Sequence, residues 1–276
     1  MSGTAGARRG RLDALRRTEE AHVSSTPLTE LVELSRSLGR PEKDLAVLGE
    51  GNTSARVDDE SFLVKASGTS LASANDGSFV RMDVERTLAL LELRDPTDEE
   101  LGDALMAART SSDGGLRPSI EAVMHALALT DGEATFVGHT HPTSVNSVLC
   151  SDRAEALSAG AIFPDQIIVL GRYPLLIPYA DVGLPLARAL RDGLREHKKR
   201  VGTAPKTVYL KNHGLVALGQ SASGVEQVTM MAAKHARIMA GVLAVGEPVY
   251  LSAEQADRLD TRSDEEYRRR VLQGGR

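Results

Sequence analysis

The chain has 276 residues, 41% of them hydrophobic, and a formal net charge of −5. A chain this long can bury about three quarters of its unfolded surface, so it is read as one principal domain over 26–250, with a flexible tail over 1–25 and a charged extension over 251–276. The acidic balance argues against nucleic-acid and anionic-membrane partners, no run reaches the roughly 18 apolar residues of a membrane span, and one cysteine excludes an internal disulfide. Cys150 follows an apolar run and is expected to be a buried thiol of a cytoplasmic protein. Five arginines in the first twenty residues suggest a transit peptide, but Asp13, Glu19 and Glu20 among them argue against one.

A helix is expected over 29–38, capped by Thr26 or Thr29 and stopped by Gly39 and Pro41. Strands over 53–57 and 61–66 pair across Asp58-Asp59-Glu60. Helices fit 84–93, 98–108 and 119–129; in the last, Ser119 is the cap, and Ile120, Val123, Met124 and Leu127 share a face. A strand over 134–141 follows, then a short helix near 143–151, a strand over 166–170 and a helix over 184–197. Apolar runs at 207–210 and 215–218 flank a turn. Ser223-Gly224-Val225-Glu226 reads as a capping box before a helix that ends near Val245, with His235 partly exposed on it. Interleaved helices and strands favour an α/β layered domain.

His139 and His141 stand two residues apart in His139-Thr140-His141-Pro142. Side chains on a strand repeat every two residues, so in an extended 134–141 both rings face one side and can grip one metal ion. His213 is the best candidate third ligand, because it lies between two apolar runs in a turn whose Gly214 lets the backbone approach other groups. Three neutral imidazoles suit a divalent transition metal, Zn2+ being the usual occupant, with a position left for substrate. Glu121 sits in the first turn of its helix, where the macrodipole favours a carboxylate even without chemistry. His125, four residues on, shares that helix face and is read as a hydrogen-bonding partner of the Glu121 carboxylate rather than a ligand. Segments 49–54 and 67–70 each offer consecutive N–H groups and hydroxyls, the makings of an anion nest.

Five motifs in order, Gly49-Glu50-Gly51-Asn52-Thr53-Ser54, Ser67-Gly68-Thr69, Pro118-Ser119-Ile120-Glu121, His139-Thr140-His141-Pro142 and Lys211-Asn212-His213-Gly214-Leu215, carry a resemblance. Over 28–248 the chain resembles the class II aldolase/adducin family, which includes fuculose- and rhamnulose-1-phosphate aldolases and ribulose-phosphate 4-epimerase. Lys65-Ala66-Ser67-Gly68 and Phe163-Pro164-Asp165 are similar to the aldolase portion of bifunctional rhamnulose-phosphate aldolase/dehydrogenases. The resemblance implies a three-layer αβα sandwich with a central, largely antiparallel sheet, and a homotetramer. It further implies zinc on His139, His141 and His213, with Glu121 ligating the metal at rest and acting as base. Asn52, Thr53, Ser67, Gly68 and Ser119 would contact a substrate phosphate, with Lys65 supplying charge; Ile120 stands where phosphate-cleaving relatives often carry a second serine. Relatives take a proton donor from a tyrosine near 161–165, where none stands here, so Asp165 becomes the candidate and Tyr179 the reserve.

The activity so implied is retro-aldol cleavage of a ketose 1-phosphate to dihydroxyacetone phosphate and an aldehyde. A 4-epimerase, dehydratase or decarboxylase on the same metal site is the alternative. A non-catalytic, adducin-like scaffold has no reason to gather four metal-binding residues from separate segments. A Schiff-base aldolase through Lys65 or Lys211 would need a desolvated lysine.

Overall fold

Thr26 accepts a hydrogen bond from the Thr29 N–H and Pro27 fits the first turn, so helix α1 runs over Pro27–Leu38. It closes at Gly39, where a Cβ would stand 2.2 Å from the backbone of Ala72. The structure is a computed structural model describing residues 26–110 and 115–261. Strands β1 (Asn52–Arg56), β2 (Ser61–Lys65) and β3 (Phe79–Asp83) form a meander, followed by helices α2 (Val84–Ala89), α3 (Asp98–Ala107) and α4 (Ala122–Leu129). Strand β4 (Phe136–Thr140) leads into α5 (Thr143–Leu149) and α6 (Pro164–Leu170), and β5 (Leu175–Ile177) into α7 (Leu184–Val201). The hairpin of β6 (Thr207–Leu210) and β7 (Gly214–Gly219) precedes the long α8 (Ala222–Val245) and α9 (Ala253–Thr261).

The seven strands make one sheet in the order β3-β2-β1-β4-β7-β6-β5, antiparallel throughout except for the β5–β6 pair. Alternate residues feed two cores. Phe62, Val64, Val137 and Val216 face α4 and α7 through Val123, Met124, Leu127, Leu190 and Leu194. Ala55, Phe136, Tyr209 and Leu215 face α1 and α8 through Leu31, Leu38, Val225, Val228 and Met239. The result is the expected αβα sandwich around a largely antiparallel sheet. By length and composition α8 could cross a membrane, but Val225, Val228, Ala232, Ala236 and Met239 on it are buried in this core.

Several local expectations are corrected. Residues 166–170 form the body of helix α6, with Pro164 in its first turn and Gln166, Ile167, Ile168 and Leu170 buried; so short an apolar run carries no period that separates strand from helix. Strands β3 and β5 were not expected. The helix expected from Ser119 starts at Ala122, and the Ser119 hydroxyl instead accepts from the Glu121 N–H at 3.2 Å. The cap of α8 is Ser221, which accepts from the Gly224 N–H at 3.1 Å, while Glu226 turns to Lys43 and Ser37. His235 is fully buried, with the Tyr209 hydroxyl 3.3 Å from its Nδ1, and Cys150 is exposed. The tail over 1–25 and most of the charged extension lie outside the described residues; the extension begins as α9, packed on α6.

Candidate metal centre

Strand β4 and the residue just after its end turn His139 and His141 toward the α4 side of the sheet, with Thr140 between them facing the other layer. His139 is opposite Asn52 on β1 and Val216 on β7. The β6–β7 turn returns the third ring: Asn212 takes a left-handed φ of 55°, and Asn146 Nδ2 donates to the His213 carbonyl at 3.0 Å. Gly214 permits the approach, since a Cβ there would lie 2.6 Å from the Thr140 carbonyl and 2.7 Å from the His141 ring. The ring centroids of His139, His141 and His213 are 4.8, 4.9 and 5.0 Å apart in pairs, and their ligand atoms all lie within 4.8 Å of one another.

Glu121 enters from the residue before α4. Its Oε1 is 3.4 Å from Nε2 of both His139 and His213, and Oε2 accepts from Asn52 Nδ2 at 2.8 Å. Oε1 is buried without a hydrogen-bond partner. His139 Nδ1 donates to the Leu215 carbonyl at 3.0 Å, which leaves Nε2 as the lone-pair nitrogen of the neutral ring. His141 Nε2 lies 3.0 Å from it. Two imidazole nitrogens and a bare carboxylate oxygen directed at one place suit a cation there. Three imidazoles plus a carboxylate make a donor set suited to a divalent transition metal.

Burial aside, Glu121 and His139 shift each other most strongly. Burial would raise the Glu121 carboxyl, but His139, the Asn52 hydrogen bond and His213 hold it well below the usual carboxylate range. Burial opposes a charge on His139, yet the adjacent Glu121 carboxylate raises it. Burial, with the neighbouring His139 adding, pushes His141 and His213 down to about 4, which favours the neutral form a ligand needs. Glu50 Oε2 lies 3.9 Å from His141 Nδ1, on its solvent side.

His125 does not bond Glu121 directly, because Asn52 stands between them. Its Nδ1 meets Ser54 Oγ at 2.6 Å and its Nε2 is hydrogen-bonded to Asn52 Oδ1; burial and the His139 charge push it down to about 3. The placement of Asn52 and Ser54 on the α4 side follows from their two-residue spacing on β1, but their partners depend on pairing across the sheet.

The anion-binding candidates divide. Ser67 and Gly68 are exposed in a turn beside the Glu121 segment: the Ser67 N–H donates to the Arg117 carbonyl at 2.9 Å, Ala66 bridges to Pro118, and Gly68 has φ 78°. Ser119 is buried, its hydroxyl accepting from Asn52 Nδ2 at 3.1 Å. Lys65 is buried and donates to the carbonyls of Thr69 and Ala66, bracing that turn from behind; burial lowers its pKa and the Glu121 charge partly restores it. Thr53 is removed from this face, because odd and even residues of β1 point to opposite layers, and its hydroxyl pairs with Ser35 of α1 at 2.6 Å.

Asp165 lies in the first turn of α6, which packs on α8 and α9. Tyr179 is 62% exposed, donating to Asp181 at 2.9 Å in the loop after β5. Since β5 and β6 are parallel, that loop leaves the same end of the sheet as the His213 turn, and a Cβ at its Gly183 would meet Ile120 at 3.6 Å. Lys211 is paired with Glu155 at 2.9 Å.

A family model described as the class II aldolase and adducin N-terminal domain matches residues 29–240. The 3-oxo-tetronate 4-phosphate decarboxylase of Haemophilus influenzae is 31% identical over 191 residues, covering 68% of this chain and 76% of that protein. An uncharacterized oxidoreductase of Bacillus subtilis, YuxG, is 26% identical over 221 residues, 77% of this chain but only 29% of that protein, so the chain spans under a third of its length. Among solved structures, an L-fuculose 1-phosphate aldolase superposes with a TM-score of 0.65 at 20% identity, over 88% of this chain and 96% of that one; this is a likeness of fold.

Proposed function

Because the chain belongs to the class II aldolase and adducin family, we propose that it is a divalent-metal-dependent lyase that cleaves a ketose 1-phosphate to dihydroxyacetone phosphate and an aldehyde. The bare Glu121 Oε1, 3.4 Å from Nε2 of two rings of the three-histidine cluster, carries this reading. His139, His141 and His213, with Glu121, would hold zinc, which when bound supplies Lewis-acid stabilisation of negative charge developing on a substrate oxygen.

The chain's own groups take the remaining tasks. Asn52 caps Oε2 of Glu121, so proton transfer to and from the substrate carbon is confined to Oε1. Ser67, Gly68 and Ser119 line the place for the phosphate, with Lys65 contributing charge from behind the turn. Asn52 already uses its amide protons inside the site, and Ile120 offers no donor, so this anion site rests on few hydroxyls and backbone N–H groups. Of the two candidates for protonating the aldehyde oxygen, Tyr179 has the better position, on a loop beside Ile120, while Asp165 would have to reach the site from the α8 layer. The same reading includes a cytoplasmic homotetramer, which sedimentation of the purified protein tests.

A decarboxylase is the second reading, favoured by the Haemophilus relative. It needs the same cluster but releases carbon dioxide from a phosphorylated keto acid. Metal analysis followed by a panel of ketose 1-phosphates and 3-oxo-acid phosphates separates the two. Loss of carbon dioxide from a 3-oxo-tetronate 4-phosphate would itself leave dihydroxyacetone phosphate, so the co-product decides. Aldehyde release from a ketose 1-phosphate supports the aldolase, and carbon dioxide release from the keto acid with no ketose 1-phosphate cleaved overturns that reading.

A further inference from the structure

The buried polar chain behind Glu121 has one consistent direction. Asn52 Nδ2 reaches Glu121 Oε2 at 2.8 Å and Ser119 Oγ at 3.1 Å, while Oδ1 meets Nε2 of His125. A carboxylate only accepts, so Asn52 must turn its NH2 toward Glu121 and its carbonyl toward His125. That carbonyl also only accepts, so the proton of the His125 ring sits on Nε2. The bare Nδ1 is then satisfied by the Ser54 hydroxyl, 2.6 Å away. At the far end, Ser119 Oγ accepts from both Asn52 Nδ2 and the Glu121 N–H, so its own proton is the one left to give. With the Asn52 amide turned over, its carbonyl would face the carboxylate, acceptor against acceptor. The carboxylate opposes that flip at one end, and the Nε2 proton of His125 locks the carbonyl at the other.

We propose, resting on the reading of the site given above, that His125 is the positioning residue that locks this polarity in place. By holding the Asn52 carbonyl it keeps Glu121 capped at Oε2 and bare at Oε1, and leaves the Ser119 hydroxyl a donor toward bound substrate. His125 stands four residues after Glu121, so the first turn of α4 ties the base at its cap to the group that orients it.

Nitrogen-15 NMR of the histidine-labelled, zinc-loaded protein, with the His125→Gln spectrum assigning the resonance, reads the tautomer directly. A ring protonated at Nε2 is expected; a ring bare at Nε2 overturns the proposal. The second readout compares His125→Phe, which has no donor, with His125→Gln, whose amide can donate in its place. At equal metal content, kcat for deuterium exchange into dihydroxyacetone phosphate should fall about ten- to a hundredfold in His125→Phe. KM should stay within about twofold, and His125→Gln should regain most of the loss. An unchanged kcat in His125→Phe, or no recovery in a folded His125→Gln, overturns the proposal. If the wild-type protein itself fails to exchange, the aldolase reading fails while the tautomer still decides the role of His125.

Discussion

The two faces of the sheet treat buried polar groups differently, and that difference locates the chemistry better than burial does. On the α1 and α8 face the contacts are short and local. Thr53 pairs with Ser35, which donates on to the Leu31 carbonyl, Thr229 donates to the Val225 carbonyl, and Tyr209 meets His235. On the α4 face Ser54, His125, Asn52, Ser119 and Glu121 run as one chain that ends on an oxygen without a partner, among three histidines. His235 is as buried as His139, and burial pushes it down to about 4. Yet among the described residues the group with converging ligand atoms is His139, His141 and His213. A buried histidine marks a site only where other donors meet it.

The strongest way to break the comparison is to remove a ring from the cluster. His139→Ala and His213→Ala should each lose bound metal together with activity, because the site has no spare imidazole; elemental analysis that found full metal content in both would show that the ligand set is wrong. A smaller effect separates the two halves of the reaction. Tyr179→Phe should slow carbon–carbon cleavage by about a hundredfold, the range of a lost general acid, and leave proton exchange on dihydroxyacetone phosphate nearly intact. Asp165→Asn, in the α8 layer, should do neither, and stopped assays on the two variants would reverse the assignment if the effects were exchanged. The smallest effect belongs to the packing face. Thr53→Val should cost about 1 kcal/mol in denaturant unfolding, since Ser35 keeps its bond to Leu31, and should leave metal content and turnover unchanged. A large loss of substrate affinity in that variant would return Thr53 to the phosphate site.

Much of the site was legible because it depends on local periods. The two-residue spacing put His139 and His141 on one side of a strand, and Gly214 marked the close approach that brings His213 to them. What could not be read depends on register. Asn52 reaches Glu121 because β1 lies beside β4 with Asn52 opposite His139, a pairing between segments almost ninety positions apart that no local pattern encodes. The same holds for Thr53: the motif named it with Asn52, but alternation along β1 sends its hydroxyl to α1. Helix α6 was misread because four apolar residues after Pro164 fit either period, and β5, three residues long, has too little sequence to show one.

The central claim is that the bare oxygen of Glu121 moves the proton at the substrate carbon. Deuterium exchange into dihydroxyacetone phosphate, followed by proton NMR on wild type and Glu121→Gln brought to equal zinc content, tests it directly. Glu121→Gln should fold, since the amide keeps its place before α4, and its exchange rate should fall by at least about a hundredfold. Exchange at the wild-type rate in a metal-loaded Glu121→Gln protein would contradict the account.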